Sequence, residues 1–251
     1  MNNREVKKEV QFDKLADTYD EELEQLLNPY IKGNDTSKFA EYKIQLLHSV
    51  LKGKRISGIL DFGCGVGRSL FYFQKYFGRA CVFYGCDVSL ESVKMASNVM
   101  PEADLFVNSS IEQFENYFGG GYKRRKRRYD LVFLSCVLHH IDPKDRNEWI
   151  KAIMRNLEPG GYIAVFEHNL KNPYTKRIVM DPNNRADNSR FMLTQKELEN
   201  LLLDSVDVKI IWKGYTLFSL FRSFWIVSAE RMLKWCPLGA QHCIIAQKPK
   251  S

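Results

Sequence analysis

Hydrophobic positions change period along the chain. Phe12, Leu15, Ala16, Tyr19, Leu23, Leu26 and Leu27 recur at helical spacing. Pro29 and Gly33 interrupt that pattern, and DTSKFAEYKIQLLHSVL predicts a second amphipathic helix capped by Asp35 or Thr36. From residue 56 short apolar runs alternate with amphipathic stretches. RISGILDF, ACVFYGCD, ADLFVN, YDLVFLSCVL and GYIAVFEH each predict a buried strand. GRSLFYFQKYF, SLESVKMASNVM, SIEQFENYF and PKDRNEWIKAIMRNL predict the helices between them. Strands that are apolar on both faces and alternate with helices predict an α/β fold with a parallel sheet. Beyond residue 168 the alternation loosens into a helix (KELENLLLD), a strand (VDVKIIWKG), an aromatic-rich segment and a last strand (QHCIIAQKPK). No internal repeat or low-complexity linker divides the chain. Residues 1–55 are expected to form an N-terminal helical lid on a domain spanning 56–251.

Composition narrows this picture little, and charge only locally. The 251 residues are 45% hydrophobic and 27% charged, values ordinary for a globular protein. Net charge is +7, but removing the run Lys123–Arg128 leaves 31 basic against 30 acidic residues, a balance of +1. The basic character is therefore one loop, not a face that tracks a polynucleotide. The cysteines Cys64, Cys81, Cys86, Cys136, Cys236 and Cys243 include no CxxC pair and predict small buried hydrophobes in a reducing compartment. No window offers about 18 uninterrupted apolar residues, and MNNREVKKEV has no apolar signal region, so a soluble cytoplasmic protein is expected.

The candidate chemistry begins at ILDFGCGVGRSL. Gly63, Gly65 and Gly67 follow a strand and precede a helix, where glycine lets backbone approach a ligand or simply permits a tight turn. Asp87 ends the next strand and is placed to accept hydrogen bonds from ribose hydroxyls. Asp61, just before the glycines, would repel a pyrophosphate but suits a ligand carrying an ammonium and a sulfonium. Its alternative reading is a cap or structural acid.

In combination, LDFGCGVGRSL, YGCDVS, FVNSSIEQF, YDLVFLSCVLHHI and LEPGGYIAVFEHN resemble the class I S-adenosylmethionine-dependent methyltransferases from about residue 56 to 168. That resemblance implies a Rossmann-like, seven-stranded, mostly parallel sheet of order 3-2-1-4-5-7-6, with the N-terminal helical lid and a C-terminal aromatic helical insertion added. It implies S-adenosyl-L-methionine as cofactor and S-adenosyl-L-homocysteine as product. By position, Asp61 with Gly63, Cys64, Gly65 and Gly67 would line the methionine and ribose end, and Asp87 would hold the ribose. Val88, Ser110 and Ile111 would edge the adenine, although many relatives carry an acid where Ser110 stands. Ser135 and Cys136 would lie under the methionine portion, and Tyr19 of FDKLADTYDEEL would face the cofactor. FEHNLKNPYTKR and KWCPLGAQHCIIAQK are similar to a narrower group that methylates bacterial glycans and natural products. That group often reads EHNP, and here Leu170 replaces the proline.

Methyl transfer to a hydroxyl or protonated amine needs a proton acceptor beside the site. His139, His140, Glu167 and His168 all follow strand ends. His168 is the candidate base and Glu167 its orienter or substrate anchor, with backbone capping as the structural alternative; His139 and His140 read as a supporting turn. The NPPY-like motif of enzymes acting on exocyclic base amines is missing from SCVLHH, and Asp130 starts its strand rather than ending it, so no metal site is expected.

Two segments keep several readings. Lys123–Arg128 falls in a loop entering the N-terminal end of a strand, away from the expected site; it reads as a solvated loop, a dock for an anionic membrane or nucleic acid, or a nuclear address. In segment 215–236, Leu217, Phe218, Leu220, Phe221, Phe224 and Trp225 read as a site cover, an interfacial helix or a dimer contact. The functional expectation is methyl transfer to a hydroxyl or amine of a small molecule or glycan. The alternatives are an RNA or protein methyltransferase docking through Lys123–Arg128 and a non-catalytic scaffold subunit.

Overall fold

The computed structural model describes residues 37–119, 128–182, 184, 191–217 and 232–250. The first expected helix with Tyr19, the basic residues Lys123–Arg127 and most of the aromatic segment lie outside the described residues. The strands are β1 (Gly58–Phe62), β2 (Val82–Asp87), β3 (Asp104–Val107), β4 (Tyr129–Ser135), β5 (Leu157–His168), β6 (Lys209–Thr216) and β7 (Gln241–Gln247). They form one sheet of order β3-β2-β1-β4-β5-β7-β6. β7 alone among these strands runs opposite to the other six. Its first residue, Gln241, therefore lies at the same edge as the last residues of the other six.

The helices are α1 (Ser37–Val50), α2 (Arg68–Phe77), α3 (Leu90–Val99), α4 (Ile111–Gly119), α5 (Arg146–Asn156), α6 (Pro173–Val179) and α7 (Gln195–Ser205). The short α6, which hydrophobic periodicity does not reveal, is specified by its start: Asn172 Oδ1 accepts from the N–H of Tyr174 and Thr175, and Pro173 opens the first turn.

Each sheet face buries its own core. Phe114 and Phe118 of α4, Ile150 and Ile153 of α5, and Leu198 and Leu202 of α7 pack on Leu60, Val132, Leu134, Val165 and Ile244. Ile44 and Leu47 of α1, Leu70 and Phe73 of α2, and Ala96 of α3 pack on Ile59, Phe133, Ala164, Phe166 and Ile245. Side chains alternate along a strand. That rule sends Asp61, Ser135 and His168, each two residues past a member of the second core, toward α1. It sends Glu167 toward α5 and α7.

Candidate functional site

Three turns, after β1, β2 and β3, build one half of the C-terminal sheet edge, the half expected to hold the cofactor. After β1, Gly63 and Cys64 donate their N–H groups to the Cys86 carbonyl at 2.8 and 2.9 Å. A Cβ on Gly63 would come within 2.5 Å of Val137, and one on Gly67 within 2.9 Å of Ala96. Those two glycines therefore serve internal packing. Gly65 differs, since a Cβ there would meet nothing within 4 Å, and its N–H donates to Asp87 Oδ2 at 2.9 Å. Asp87 Oδ1 accepts from the Ser89 N–H at 3.0 Å, so two backbone amides aim this carboxylate across the loop. Val88 adjoins it, partly exposed. At the neighbouring end of β3, Ser110 Oγ accepts from the Gln113 N–H at 3.2 Å and Ile111 begins α4. Asn108 lies beside them with its Oδ1 buried and unpartnered, a feature that sequence reasoning did not single out.

Asp61 is only 2% exposed, and its Oδ2 has no hydrogen-bond partner. Burial, then the charge of Asp87, push its carboxyl up to about 7, with Lys43 pulling the other way. A buried carboxylate without a donor is costly unless a cation arrives. The ammonium of an amino-acid ligand supplies one, so this carboxylate fits S-adenosylmethionine and not a pyrophosphate. The lysine itself was missed by the sequence reading. Lys43 projects from the apolar stripe of α1, beside Ala40, Ile44 and Leu47, and its Nζ donates to Ser135 Oγ at 2.6 Å. Its place at helical spacing among buried residues was the available signal.

The other half of the edge joins residues far apart in sequence. His168 pairs with Gln241, and Gln241 with Thr216, across β5, β7 and β6. Directly opposed antiparallel residues share a face. Asp61, Ser135, His168, Gln241 and Thr216 thus form one staggered line across five adjacent strands, on the α1 side. Cys136 lies within it at φ 59, a left-handed conformation unusual for a residue with a Cβ. Its Sγ accepts from Gln241 Nε2 at 3.1 Å. Burial alone would raise the Cys136 thiol, but the charges of His168 and Lys43 and the His168 hydrogen bond bring it below the ordinary value. This cysteine is therefore more than the small buried hydrophobe expected. All six cysteines are free.

Glu167 faces the opposite core. Its Oε1 accepts from the Val137 and Leu138 N–H groups at 3.1 and 2.8 Å, and its Oε2 lies 2.7 Å from His139 Nδ1. Burial would raise its carboxyl, yet the charge and hydrogen bond of His139, with His168 and the Leu138 amide, hold it at about 2. Arg146 Nε closes the same turn by donating to the carbonyls of Leu138 and Ile141. The His139 ring reaches back to the His168 ring, 5.4 Å between centroids, and stands 4.0 Å from that of His140.

The two segments EHN and PLGAQ also meet. Asn169 Nδ2 donates to the carbonyls of Pro237 and Gly239 at 2.9 and 2.7 Å, and its Oδ1 accepts from the Lys171 N–H. This clamp fixes the turn that delivers Gln241 to the edge. Among the described residues no cluster of His, Cys, Asp and Glu could hold a metal ion, and no helix is long and apolar enough to cross a membrane.

Comparison with known proteins follows the same outline. A methyltransferase-domain family profile matches residues 60–163. The tRNA (carboxymethyluridine(34)-5-O)-methyltransferase of Arabidopsis thaliana is 30% identical over 112 residues, 43% of this chain and 23% of its own length. The carboxy-S-adenosyl-L-methionine synthase of Campylobacter fetus is 27% identical over 216 residues, 80% of this chain and 82% of its own. With three of the curated relatives the match spans 23%, 30% and 39% of their length. Among solved structures, the plantazolicin methyltransferase BpumL in complex with a triazolic desmethylPZN analog and SAH superposes with a TM-score of 0.62 at 16% identity, over 99% of this chain and 100% of that one. A SAM-dependent methyltransferase from Archaeoglobus fulgidus gives 0.58 at 17% identity over 85% and 95%. With the strand order, the glycine loop and the acid at the end of β2, these likenesses make residues 60–163 a methyltransferase domain and give the chain the fold of the class I S-adenosylmethionine-dependent methyltransferases.

Proposed function

We propose that the chain is a cytoplasmic methyltransferase acting on a hydroxyl or amine of a small molecule or glycan. The observation that carries this reading is the line of polar side chains across β1, β4, β5, β7 and β6, whose first half suits the cofactor and whose second half suits an acceptor. Asp61 takes the cofactor's ammonium, Asp87 its ribose, and the backbone from Gly63 to Gly65 lies against it. Val88, Ser110 and Ile111 border the adenine, with Ser135 and Cys136 under the methionine portion. The chemistry supplied by S-adenosylmethionine is a methyl group on a sulfonium, whose C–S electron pair stays on sulfur as the acceptor's lone pair forms the new bond. His168 stands beyond Ser135 in the line, where it accepts the proton the acceptor loses and later passes it to water. Glu167 is a positioning residue in this scheme, fixing the Val137–His139 turn against which His168 rests. Alignment of the two reactants supplies much of the rate, of order 7–11 kcal/mol for a well-oriented pair.

Names among the relatives, a tRNA methyltransferase and an alpha N-terminal protein methyltransferase, support RNA or protein acceptors as a second reading. Arg128, the last residue of the basic run, sits just before β4, at the edge opposite the line, and pairs with Glu158 at 3.5 Å. A dock there would need a substrate that wraps around the sheet. Steep salt dependence of polynucleotide binding would favour it.

Thermal unfolding with and without S-adenosylhomocysteine tests the cofactor site. At 1,000 times the dissociation constant, bound ligand stabilises by about 4 kcal/mol, or roughly 8–16 °C for a domain of this size. The shift should disappear in Asp87→Ala. A folded protein that shows no shift would leave the scaffold reading.

A further inference from the structure

Two buried oxygens in the acceptor half of the line have no partner. Gln241 is 7% exposed; its Nε2 is committed to Cys136, while its Oε1 is buried and receives no hydrogen bond. Thr216, 1% exposed, likewise leaves Oγ1 unpartnered. Buried polar atoms are nearly always satisfied, and an orphaned one is expensive. These two occupy opposed positions on β7 and β6, on the same face as His168. The Asn169 clamp on Pro237 and Gly239 holds the turn before them. The stability cost is thus concentrated beside the candidate base, where an acceptor would supply the missing bonds.

The chemistry of the orphans selects the acceptor. An amide carbonyl can only accept, so Gln241 Oε1 needs an N–H or O–H from the ligand. The proton of the group being methylated goes to His168 and cannot serve Gln241 as well; a second donor is required. An ammonium is disfavoured, because no carboxylate of the line faces this half. Glu167 is turned to the opposite core, and Asp61 stands at the far end of the line. Lys43, also on this face, is a cation.

We propose that Gln241, Thr216 and His168 form the acceptor subsite for a neutral molecule with at least two hydroxyls. One hydroxyl is methylated and another donates to Gln241 Oε1. In the transfer, the reacting oxygen gives its proton to His168 and forms the O–C bond. The C–S pair remains on sulfur, leaving a neutral thioether and a methyl ether. Three adjacent strands span about 10 Å, which suits a compact polyol rather than a long chain. The inference rests on the methyltransferase reading above.

The test uses the full chain and the variants Thr216→Val and Gln241→Leu. Labelled S-adenosylmethionine is offered with two sets of probes, neutral polyols (methyl hexopyranosides, cyclitols) and primary amines. The parent should methylate a polyol and no amine. Both variants should bind S-adenosylhomocysteine within about twofold of the parent while kcat/KM for the polyol falls about tenfold or more, as expected when a donor or acceptor loses its partner. The melting temperature of free Thr216→Val should stay level or rise, since the substitution deletes an unsatisfied atom. A drop of several degrees would mean that the hydroxyl is structural and would overturn the assignment. So would unchanged polyol kinetics in both variants, or a parent that methylates amines alone. A parent that binds S-adenosylhomocysteine but methylates no polyol sinks this inference only; one that binds no S-adenosylhomocysteine sinks the methyltransferase reading with it.

Discussion

Lys43 Nζ and Ser135 Oγ are 2.6 Å apart, joining the helix before the sheet to the end of β4. The ammonium is buried, and its charge lowers both the Asp61 carboxyl and the Cys136 thiol. A cation held there balances two acids at the place where the methionine portion is expected. Lys43→Met keeps the side-chain volume and deletes the charge. Its expected effect is to let the Asp61 carboxyl rise further, since the Lys43 charge opposes that rise, so that S-adenosylhomocysteine affinity weakens at neutral pH. Calorimetric titration reads this directly, and an unchanged affinity would confine Lys43 to a structural role.

Asp61 gives the proposed cofactor site a pH dependence of definite sign. Its folded-state pKa, about 7 against an ordinary 3.8, is raised, so the native protein holds a proton that the unfolded chain has lost between those values. Stability of the free protein should fall as pH rises through that window and level off above about 7. A ligand's ammonium is held by the ionised form, so its binding must expel the proton. Affinity for S-adenosylhomocysteine should therefore weaken by up to tenfold per pH unit below about 7 and be flat above it. Asp61→Asn should bind more weakly and lose the slope. Titrations from pH 5.5 to 8.5 that show no slope in the parent would refute this account.

The sheet and the glycine loop were legible in the sequence because both are local patterns. Apolar runs such as YDLVFL mark strands buried on two faces, and Asp87 follows the glycines at a fixed spacing. What was missed depends on assembly. Gln241 and Thr216 meet only because β7 runs antiparallel between β5 and β6, and no local period announces that pairing. Adjacency of Glu167 and His168 suggested that one orients the other. Strand alternation sends them to opposite faces, and the hydrogen bond of Glu167 goes to His139, 28 residues earlier. That much could have been read from the period of two.

Gly65 and Gly67 separate binding from packing. Both have positive φ, 50° and 85°. Gly67→Ala adds left-handed strain of about 1–2 kcal/mol to overpacking against Ala96 of about 1–3 kcal/mol. Gly65→Ala meets no atom within 4 Å and should cost the strain alone. Its methyl occupies the side open to ligand, so its larger effect should be on S-adenosylhomocysteine affinity. Melting curves and titrations on the pair give the comparison; equal loss of affinity at equal stability would contradict the assignment.

Glu167 and His139 form a buried pair whose removal should be felt in stability before activity. Glu167→Ala strands two backbone amides and an imidazole in the core beneath β5, and breaking one side of a buried pair costs about 3–5 kcal/mol. At about 2–4 °C per kcal/mol for a chain of this length, melting should fall by roughly 6–20 °C. The pH dependence has the opposite sign to that of Asp61. The folded-state pKa of Glu167 is depressed, to about 2 from 4.5, so its contribution is complete above about pH 4.5 and is lost as pH falls toward 2. Glu167→Gln retains acceptor capacity through its amide oxygen but cannot ionise; it should lose less stability than Glu167→Ala and should lack that acid limb. Denaturant midpoints measured from pH 3 to 7 decide the matter. A parent and a Gln variant with parallel acid limbs would mean that ionisation of the Glu167 carboxyl contributes nothing to the folded protein, and that the Val137–His139 turn needs only an acceptor at that position.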